Sequence, residues 1–312
     1  MLKKYILAIE TSCDDTSIAI LDDYTVISCV TKDSTKELNH YGGIVPEIAS
    51  RKHEEYIIDI YKQCLYESKI NPKEIGYICY TNEPGLPGSL HVGEIFAKSL
   101  AYFLDIEAYP INHIHAHIFS AFINTKDIDY PFLSLIASGK TTSIFLIEGP
   151  TKILELIKTN DDAIGETFDK IAKKLGLGYP GGPKIDSLFD KTKTSLMFPK
   201  QSVLDNFSFS GIKSHVLRII DQQIKSNTLD VVTIASSFMN WAINTLIEKL
   251  NYFKTKYDIN NICIGGGVAS NSLFKSEIKK TFKSSFVPLK EFSCDNAAMI
   301  GYLFYQTNLF KK

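Results

Sequence analysis

Residues 7–21 read LAIETSCDDTSIAIL and residues 133–147 read LSLIASGKTTSIFLI. A shift of 126, which carries residue 7 onto residue 133, lays one over the other without a gap and matches Leu7 with Leu133, Ser12 with Ser138, Thr16 with Thr142, Ser17 with Ser143 and Ile18 with Ile144. In both stretches an apolar run breaks at a short, hydroxyl-rich turn and resumes, the pattern of two antiparallel strands joined by a tight turn. Five identities in fifteen would fit any two hairpins, so the surroundings decide. A third strand candidate follows each copy, TVISCVT at 25–31 and KILELIK at 152–158. Each half then carries an apolar strand running into a glycine-rich turn and a helix, IGYICYTNEPGLPGSLHVGEIFAKSLAYFL from residue 75 and INNICIGGGVASNSLFKSEIKKTF from residue 259. Residues and element order agree, which makes the halves a duplication. Two mixed sheets with flanking helices predict an α/β chain of duplicated actin-like or sugar-kinase-like architecture, two ribonuclease-H-like lobes with a nucleotide site in the interlobe cleft.

The expected lobes are residues 1–128 and 129–295, joined near the KDIDYP segment at 126–131, with a C-terminal helix at 296–312 packing on the first lobe. Val92, Phe96, Leu100 and Phe103 recur at helical spacing, as do Val231, Ile234, Phe238, Ala242, Leu246, Leu250 and Phe253, and the second series reads as a core face.

Composition narrows the function classes. Hydrophobic residues at 45 % and charged residues at 22 % describe a folded chain and exclude disorder as its main state. With 34 basic and 35 acidic side chains the molecule has no overall field to hold a polyanion, so any nucleic-acid substrate needs a local patch or a partner. The six cysteines are scattered without a CxxC pair, which fits reduced thiols in a cytoplasmic protein. The start, MLKKYILAIETSC, has a basic end like an export signal, but its apolar run reaches Glu10 too soon and reads as a first strand. No stretch approaches the roughly 18 apolar residues of a membrane span, so no membrane partner is expected.

Three histidines fall within INHIHAHIFSAFI. On a helix His113 and His117 stand one turn apart on one face, and His115 points about 200° away from His113. Such a pair can grip one metal ion and leave positions for a distant ligand and a substrate; a polar helix face would look the same. Ile114 follows His113 where a zincin-type protease needs the glutamate of HExxH, so peptide hydrolysis has no general base. Gly265–Gly267 after a strand, and Gly181 and Gly182 in LGLGYPGGPKID, suit phosphate because glycine lets backbone amides approach an anion; a tight turn uses the same residues. The two hairpin turns differ in charge, with Asp14 and Asp15 in the first and Lys140, Thr141 and Thr142 in the second, and either could face a phosphate or solvent. Asp295 directly precedes a helix, where capping free amides is its default role.

Taken together, these motifs resemble the catalytic subunit family of tRNA N6-threonylcarbamoyladenosine synthases, formerly called O-sialoglycoprotein endopeptidases. The resemblance runs nearly the full length: IETSCDDT (9–16), GGIVPEIASRKH (42–53), EPGLPGSLHVG (83–93), the histidine segment, DDAIGETFDKIAKKLGLGYPGGP (161–183), FSFSGIK (207–213), GGGVASN (265–271) and CDNAAMIG (294–301). It implies an actin-like enzyme that transfers the threonylcarbamoyl group of threonylcarbamoyl-AMP to N6 of adenosine 37 in tRNAs reading ANN codons. It implies that His113, His117 and Asp295 hold one metal ion, iron or zinc, in the interlobe cleft, and that Ile136, Ala137, Ser138, Gly139 and Lys140, with Asp169, Gly182, Asp186 and Asn271, bind the adenylate. Asp14 and Asp15 match an acidic pair that would assist metal or proton positioning. The metal would polarise the carbamoyl group while loop amides hold the phosphate of the departing AMP.

Two departures stand out. The family's SGGHT loop is Ser138-Gly139-Lys140-Thr141-Thr142 here, so Lys140 would either add a charge to a phosphate or crowd the loop, and His115 replaces a frequent glutamate without facing the metal pair. The implied partners are tRNA, a smaller non-catalytic paralogue that pairs through the N-terminal lobe, and a small P-loop ATPase, in the bacterial arrangement rather than one fused to a kinase. The competing readings are an actin-fold ATPase or small-molecule kinase using the same cleft, and a non-catalytic dimerising subunit, which the intact His113, His117 and Asp295 set disfavours.

Overall fold

The structure, a computed structural model, describes residues 4–34 and 45–309. Residues 42–44 of the GGIVPEIASRKH motif and 310–312 of the expected C-terminal helix lie outside the described residues.

The chain forms two compact units, one made of residues up to Ile128 together with those from Pro288 onward, the other of Asp129–Val287. The first crossing falls within the KDIDYP segment, whereas the return comes at Pro288, before the 296 expected from the sequence. Asp295 thus belongs to the unit that carries His113 and His117.

In the first unit β1 (Tyr5–Glu10), β2 (Asp15–Asp22) and β3 (Thr25–Asp33) form an antiparallel meander. Helix α1 (Pro46–Ser68) follows, then β4 (Ile75–Glu83) parallel to β1, α2 (Pro87–Leu104), β5 (Ala108–Asn112) parallel to β4, and the short α3 (His113–Phe119). Helices α1 and α2 both start with proline in the first turn, where its missing amide costs nothing, and both end on a left-handed residue, Lys69 and Asp105. The sheet order is β3-β2-β1-β4-β5. Strand β1 is central, which is why it reads as an unbroken apolar run rather than an alternating one.

The second unit repeats this plan with β6 (Phe132–Ala137), β7 (Thr142–Gly149) and β8 (Lys152–Lys158). Helices α4 (Ile164–Lys174), α5 (Gly181–Ser187), α6 (Ser210–Lys225) and α7 (Val231–Tyr257) come next, then β9 (Asn261–Gly265), α8 (Ser272–Thr281) and β10 (Ser284–Phe286). The order β10-β9-β6-β7-β8 is the same as the first read from the other edge. The 126-residue shift holds pair by pair: Leu7 faces Ile20 and Leu133 faces Leu146, while Ile9 faces Ile18 and Leu135 faces Ile144. Leu7 pairs with Ile78 of β4 as Leu133 pairs with Ile262 of β9.

Side-chain alternation sends Leu7, Ile9, Ile18 and Ile20 into a core with Tyr56, Ile57 and Ile60 of α1 and Ala97 and Ala101 of α2. The opposite face meets α9 (Ala297–Phe304), whose side chains are all buried; a Cβ at Gly301 would press on Leu21 and on the Ala8 methyl, so only glycine lets this helix lie flat on β1 and β2. The α7 series forms core as expected, with Ile234, Phe238, Ala242, Leu246 and Leu250 fully buried. The α2 series is helical as expected, but it is not the face that meets the sheet. Its buried stripe is Ser89, Gly93, Ala97 and Ala101; Val92, Phe96 and Leu100 flank it, and Phe103 is 82 % exposed. Small residues at four-residue spacing bring the helix backbone close to the sheet, and Phe103, two residues past Ala101, is turned about 200° from that contact.

Candidate functional site

The first site is built from three places in the first unit. Strand β5 delivers Asn112, whose side chain caps α3 by accepting from the His115 amide at 3.0 Å. That cap starts the helix at His113 and puts His117 one turn later on the same face, while Ala116, Ile118 and Phe119 anchor the helix in the interior. Helix α9 is tied down by Ala297 N–H donating to Ser17 Oγ (2.9 Å) and Tyr302 Oη–H donating to the Thr125 carbonyl (2.7 Å). Its N-cap is Asn296, which accepts from the Met299 amide, so the capping role expected of Asp295 falls to its neighbour and the Asp295 carboxylate is left for other work.

His117 Nε2 lies 2.9 Å from Asp295 Oδ1 and 3.1 Å from His113 Nε2, and His113 Nε2 lies 3.6 Å from the same carboxylate oxygen. One ligand atom from each residue falls within 4.8 Å of the others, the only such grouping of three or more histidine, cysteine or acidic side chains among the described residues. Two imidazole nitrogens and one carboxylate oxygen facing one point form a donor set that fits a single divalent ion.

Behind these three side chains stands a layer that the sequence reading did not pick out. Glu10, at the end of β1, is fully buried. Its Oε2 lies 3.0 Å from His113 Nδ1 and accepts from the Thr81 hydroxyl, and its Oε1 accepts from Ser12 N–H. Burial would raise this carboxyl, but its interaction with His113 and the hydrogen bond from Ser12 outweigh it and hold Glu10 below its ordinary range. His53 of α1, also buried, ties the hairpin turn in place, with Nδ1 2.7 Å from Thr16 Oγ1 and Nε2 3.1 Å from the Cys13 carbonyl. The EPGLPGSLHVG segment seats the same turn: Leu86 N–H donates to the Ser12 carbonyl at 2.8 Å, Thr11 Oγ1–H donates to the Ser89 carbonyl at 2.9 Å, and a Cβ at Gly85 would lie 2.7 Å from the Ser12 oxygen. The signal for Glu10 was in the sequence, since a lone carboxylate closing the apolar run of a central strand has to be buried and partnered.

Asp14 and Asp15 lie where the turn enters β2. Burial, then repulsion by Asp14, Asp295, Asp33 and Glu10, pushes the Asp15 carboxyl up to about 8, and its Oδ1 is buried without a hydrogen-bond partner.

The second site is a cavity of about 400 Å³ in the second unit. Of the residues expected at the adenylate, Ala137, Ser138, Gly139, Asp169, Gly182, Asp186 and Asn271 line it. Ile136 is buried in β6 and Lys140 is exposed at the turn; neither is in the lining. The sequence reading missed Gly165, Phe168, Tyr179, Ile243 and Val268, which add an apolar wall. Gly139, Gly182 and Gly267 border open space, so the wall there is bare backbone. The 138–141 turn closes on itself: Ser138 Oγ accepts from the amides of Lys140 (3.2 Å) and Thr141 (3.1 Å). Gly165 N–H donates to the Ser138 carbonyl at 3.1 Å, and a Cβ at Gly165 would meet that oxygen at 2.6 Å. Gly181 N–H donates to Asp169 Oδ1 at 2.7 Å, and burial raises the Asp169 carboxyl.

The triple glycine does not open directly onto a helix, as expected from sequence. Gly266 turns at φ 86°, a short 3-10 turn over Gly267–Ser270 intervenes, and the first amides of α8 are already taken, Phe274 N–H by Asn271 Oδ1 (2.9 Å) and Ser272 N–H by the Asp186 carboxylate (3.1 Å). At this end of the cavity Asp186 and Asn271 present polar side chains instead of free helix amides.

The profile of the family described as TsaD, tRNA N6-adenosine threonylcarbamoyltransferase, matches residues 25–302. A protein of that name from Malacoplasma penetrans is 56 % identical over 305 residues, covering 97 % of this chain and 99 % of its own; one from Ureaplasma parvum is 45 % identical over 302 residues, covering 96 % and 94 %. Among solved structures, full-length HypF in its phosphate- and nucleotide-bound form is similar with a TM-score of 0.64 at 12 % identity, covering 97 % of this chain and 55 % of that one. Component A of the Acidaminococcus fermentans (R)-2-hydroxyglutaryl-CoA dehydratase gives a TM-score of 0.55 at 12 % identity over 99 % of this chain and all of its own. At such identities the structural likeness speaks for the fold alone, and the repeated strand order with these neighbours is the duplicated actin-like fold. The sequence relatives speak for more: with relatives this similar end to end and a profile spanning both units, the chain belongs to the tRNA N6-adenosine threonylcarbamoyltransferase family.

Proposed function

We propose that this chain transfers the threonylcarbamoyl group of threonylcarbamoyl-AMP to N6 of adenosine 37 in tRNAs that read ANN codons, releasing AMP. The observation that carries the reading is the meeting of His113 and His117 with Asp295, residues far apart in sequence, at one point in the first unit. These three would hold one divalent ion, iron or zinc, which when bound supplies Lewis-acid polarisation of the carbamoyl carbonyl.

The adenylate is assigned to the cavity of the second unit. Phe168, Ile243 and Val268 offer apolar contact to a base, and Asp169, Asp186 and Asn271 offer polar contacts to a ribose. The amides of Lys140 and Thr141, satisfied by Ser138 Oγ, are the donors a phosphate oxygen would compete for, so rotation of one hydroxyl opens an anion site. Ile136 contributes as the buried strand residue behind this turn, and Lys140 lends its charge from the exposed side. The reacting carbonyl arrives activated as a mixed anhydride. As the adenosine amine adds to it, the new C–N bond forms, the C–O bond to phosphate breaks, AMP leaves with that electron pair, and the proton lost from N6 passes to the departing phosphate. Asp15, whose carboxyl burial and its acidic neighbours raise to about 8 in the metal-free chain, would assist with Asp14 in positioning the metal or a proton.

Balanced charge, 34 basic against 35 acidic side chains, supports a shared task in holding tRNA: a smaller non-catalytic paralogue docks on the first unit and a small P-loop ATPase completes the assembly. The exposed rings of Tyr66 on α1 and Tyr102 and Phe103 on α2 offer the paralogue an apolar face. Among the described residues no helix is long and apolar enough to cross a membrane, and the proposed setting is the cytoplasm with its tRNA. The test is mass spectrometry of tRNA nucleosides after incubating unmodified ANN-decoding tRNA with threonylcarbamoyl-AMP, the wild-type chain and its partners. Threonylcarbamoyladenosine is expected; its absence, with phosphoryl transfer from ATP to a small acceptor instead, would overturn the assignment.

A further inference from the structure

We propose that Glu10 is a positioning residue, which holds His113 in the tautomer that leaves Nε2 bare for a metal ion; this rests on the reading of His113, His117 and Asp295 as a metal centre. A carboxylate can only accept hydrogen bonds. With Glu10 Oε2 at 3.0 Å, His113 Nδ1 carries the proton and donates it, and a neutral ring then has its lone pair on Nε2. That is the atom turned toward His117 and Asp295. Metal-ligating histidines are commonly oriented in this way, by a carboxylate on the other ring nitrogen.

Two alternatives compete for the same contact. Ser12 Oγ lies 3.2 Å from His113 Nδ1, but a hydroxyl can donate or accept and so cannot choose a tautomer. Glu10 could instead be a requirement of the fold, and the duplication argues against that. The position equivalent to Glu10 in the second unit is Ile136: Glu10 faces Ser17 across the first hairpin as Ile136 faces Ser143 across the second, and Ile136 is a buried apolar side chain. The central strand of this sheet accepts an apolar residue there. A buried carboxylate is costly unless it is partnered, and the unit that has the histidines is the unit that has the carboxylate.

The substitution Glu10→Gln discriminates because its orientation is dictated. Ser12 N–H donates at the Oε1 position, so the amide oxygen must stay there and the NH2 group must take the Oε2 position against His113 Nδ1. A donor there forces the proton of the ring onto Nε2, into the metal position. Zinc affinity of the metal-stripped full chain would be measured by competition with a chromophoric chelator. Wild type is expected to bind one zinc, Glu10→Gln to bind it about 10- to 100-fold more weakly with the metal-free melting profile preserved, and Ser12→Ala to stay close to wild type. Equal zinc affinity in Glu10→Gln, or an equal loss in Ser12→Ala, overturns the role given to Glu10 while leaving the metal centre standing; a wild type that takes up no zinc overturns the metal centre itself and this role with it. Should Glu10→Gln fail to fold, 15N-histidine NMR of the metal-free wild type decides: the Nδ1–H tautomer of His113 is expected, and the Nε2–H tautomer contradicts it.

Discussion

Asp15 stands in the field of Asp14, Asp295, Asp33 and Glu10, and burial together with these charges pushes its carboxyl from 3.8 up to about 8. Between those values the native state holds a proton that the unfolded chain has lost. The stability this contributes is whole below about pH 4 and drains away as pH rises through about 8. Metal-free wild type is therefore expected to lose melting temperature between pH 5 and pH 8.5 more steeply than Asp15→Asn, which cannot ionise; parallel profiles in thermal unfolding would contradict the assignment. A divalent cation held by the proposed site at His113, His117 and Asp295 would favour the ionised carboxylate, so metal loading should flatten the wild-type slope. At this scale the sequence was partly legible. The four-residue spacing of His113 and His117 is a local property and reads directly. Asp295 looked like a cap because nothing local distinguishes it from Asn296, which performs that role. Only the docking of α9 on β1 and β2 brings it to the histidines.

Among the elements, the turn at 138–141 depends on a neighbour outside it. A Cβ at Gly165 would lie 2.6 Å from the Ser138 carbonyl oxygen and 2.8 Å from the Gly139 nitrogen, both rigid backbone atoms. Gly165→Ala must displace the turn, at a cost of about 1–3 kcal/mol by the usual scale of overpacking. The expected outcome is a KM for threonylcarbamoyl-AMP raised about tenfold or more, as about 1.4 kcal/mol of lost binding requires, with the metal content unchanged because the ligands lie in the other unit. Unchanged KM would show that the adenylate does not use this turn. The hairpins themselves were readable as a repeat, because the 126-residue shift carries Leu7 onto Leu133 and Ile18 onto Ile144; their register was not, because strands buried on both faces show no period of two to fix it. Neither was the contact face of helix α2: its apolar residues suggested a stripe through Phe103, but the sheet is met by Ser89, Gly93, Ala97 and Ala101, whose smallness, not hydrophobicity, sets the contact.

For the whole molecule, the same helix leaves a surface to explain. Tyr102 and Phe103 are 90 % and 82 % exposed at the end of α2, and Tyr66 is 84 % exposed on α1. The double variant Tyr102→Asp, Phe103→Asp removes no core contact, so its melting temperature should stay within a few degrees of wild type while co-purification with the paralogue and threonylcarbamoyladenosine formation in the reconstituted assembly both fall sharply. Retained pairing would move the docking face elsewhere. Duplication and family membership were legible at this scale because they are spread over hundreds of residues, whereas the return of the chain to the first unit at Pro288 carries no local mark.

On the proposed function, acyl transfer depends on an ion held by His113, His117 and Asp295. Its most direct test is to measure metal content and threonylcarbamoyladenosine yield side by side for wild type and the His113→Ala, His117→Ala double variant, with the same tRNA, adenylate and partners. The expected result is one metal per chain and product for wild type, and a folded double variant with neither. Product formed at the wild-type rate by a folded, metal-free double variant would contradict it.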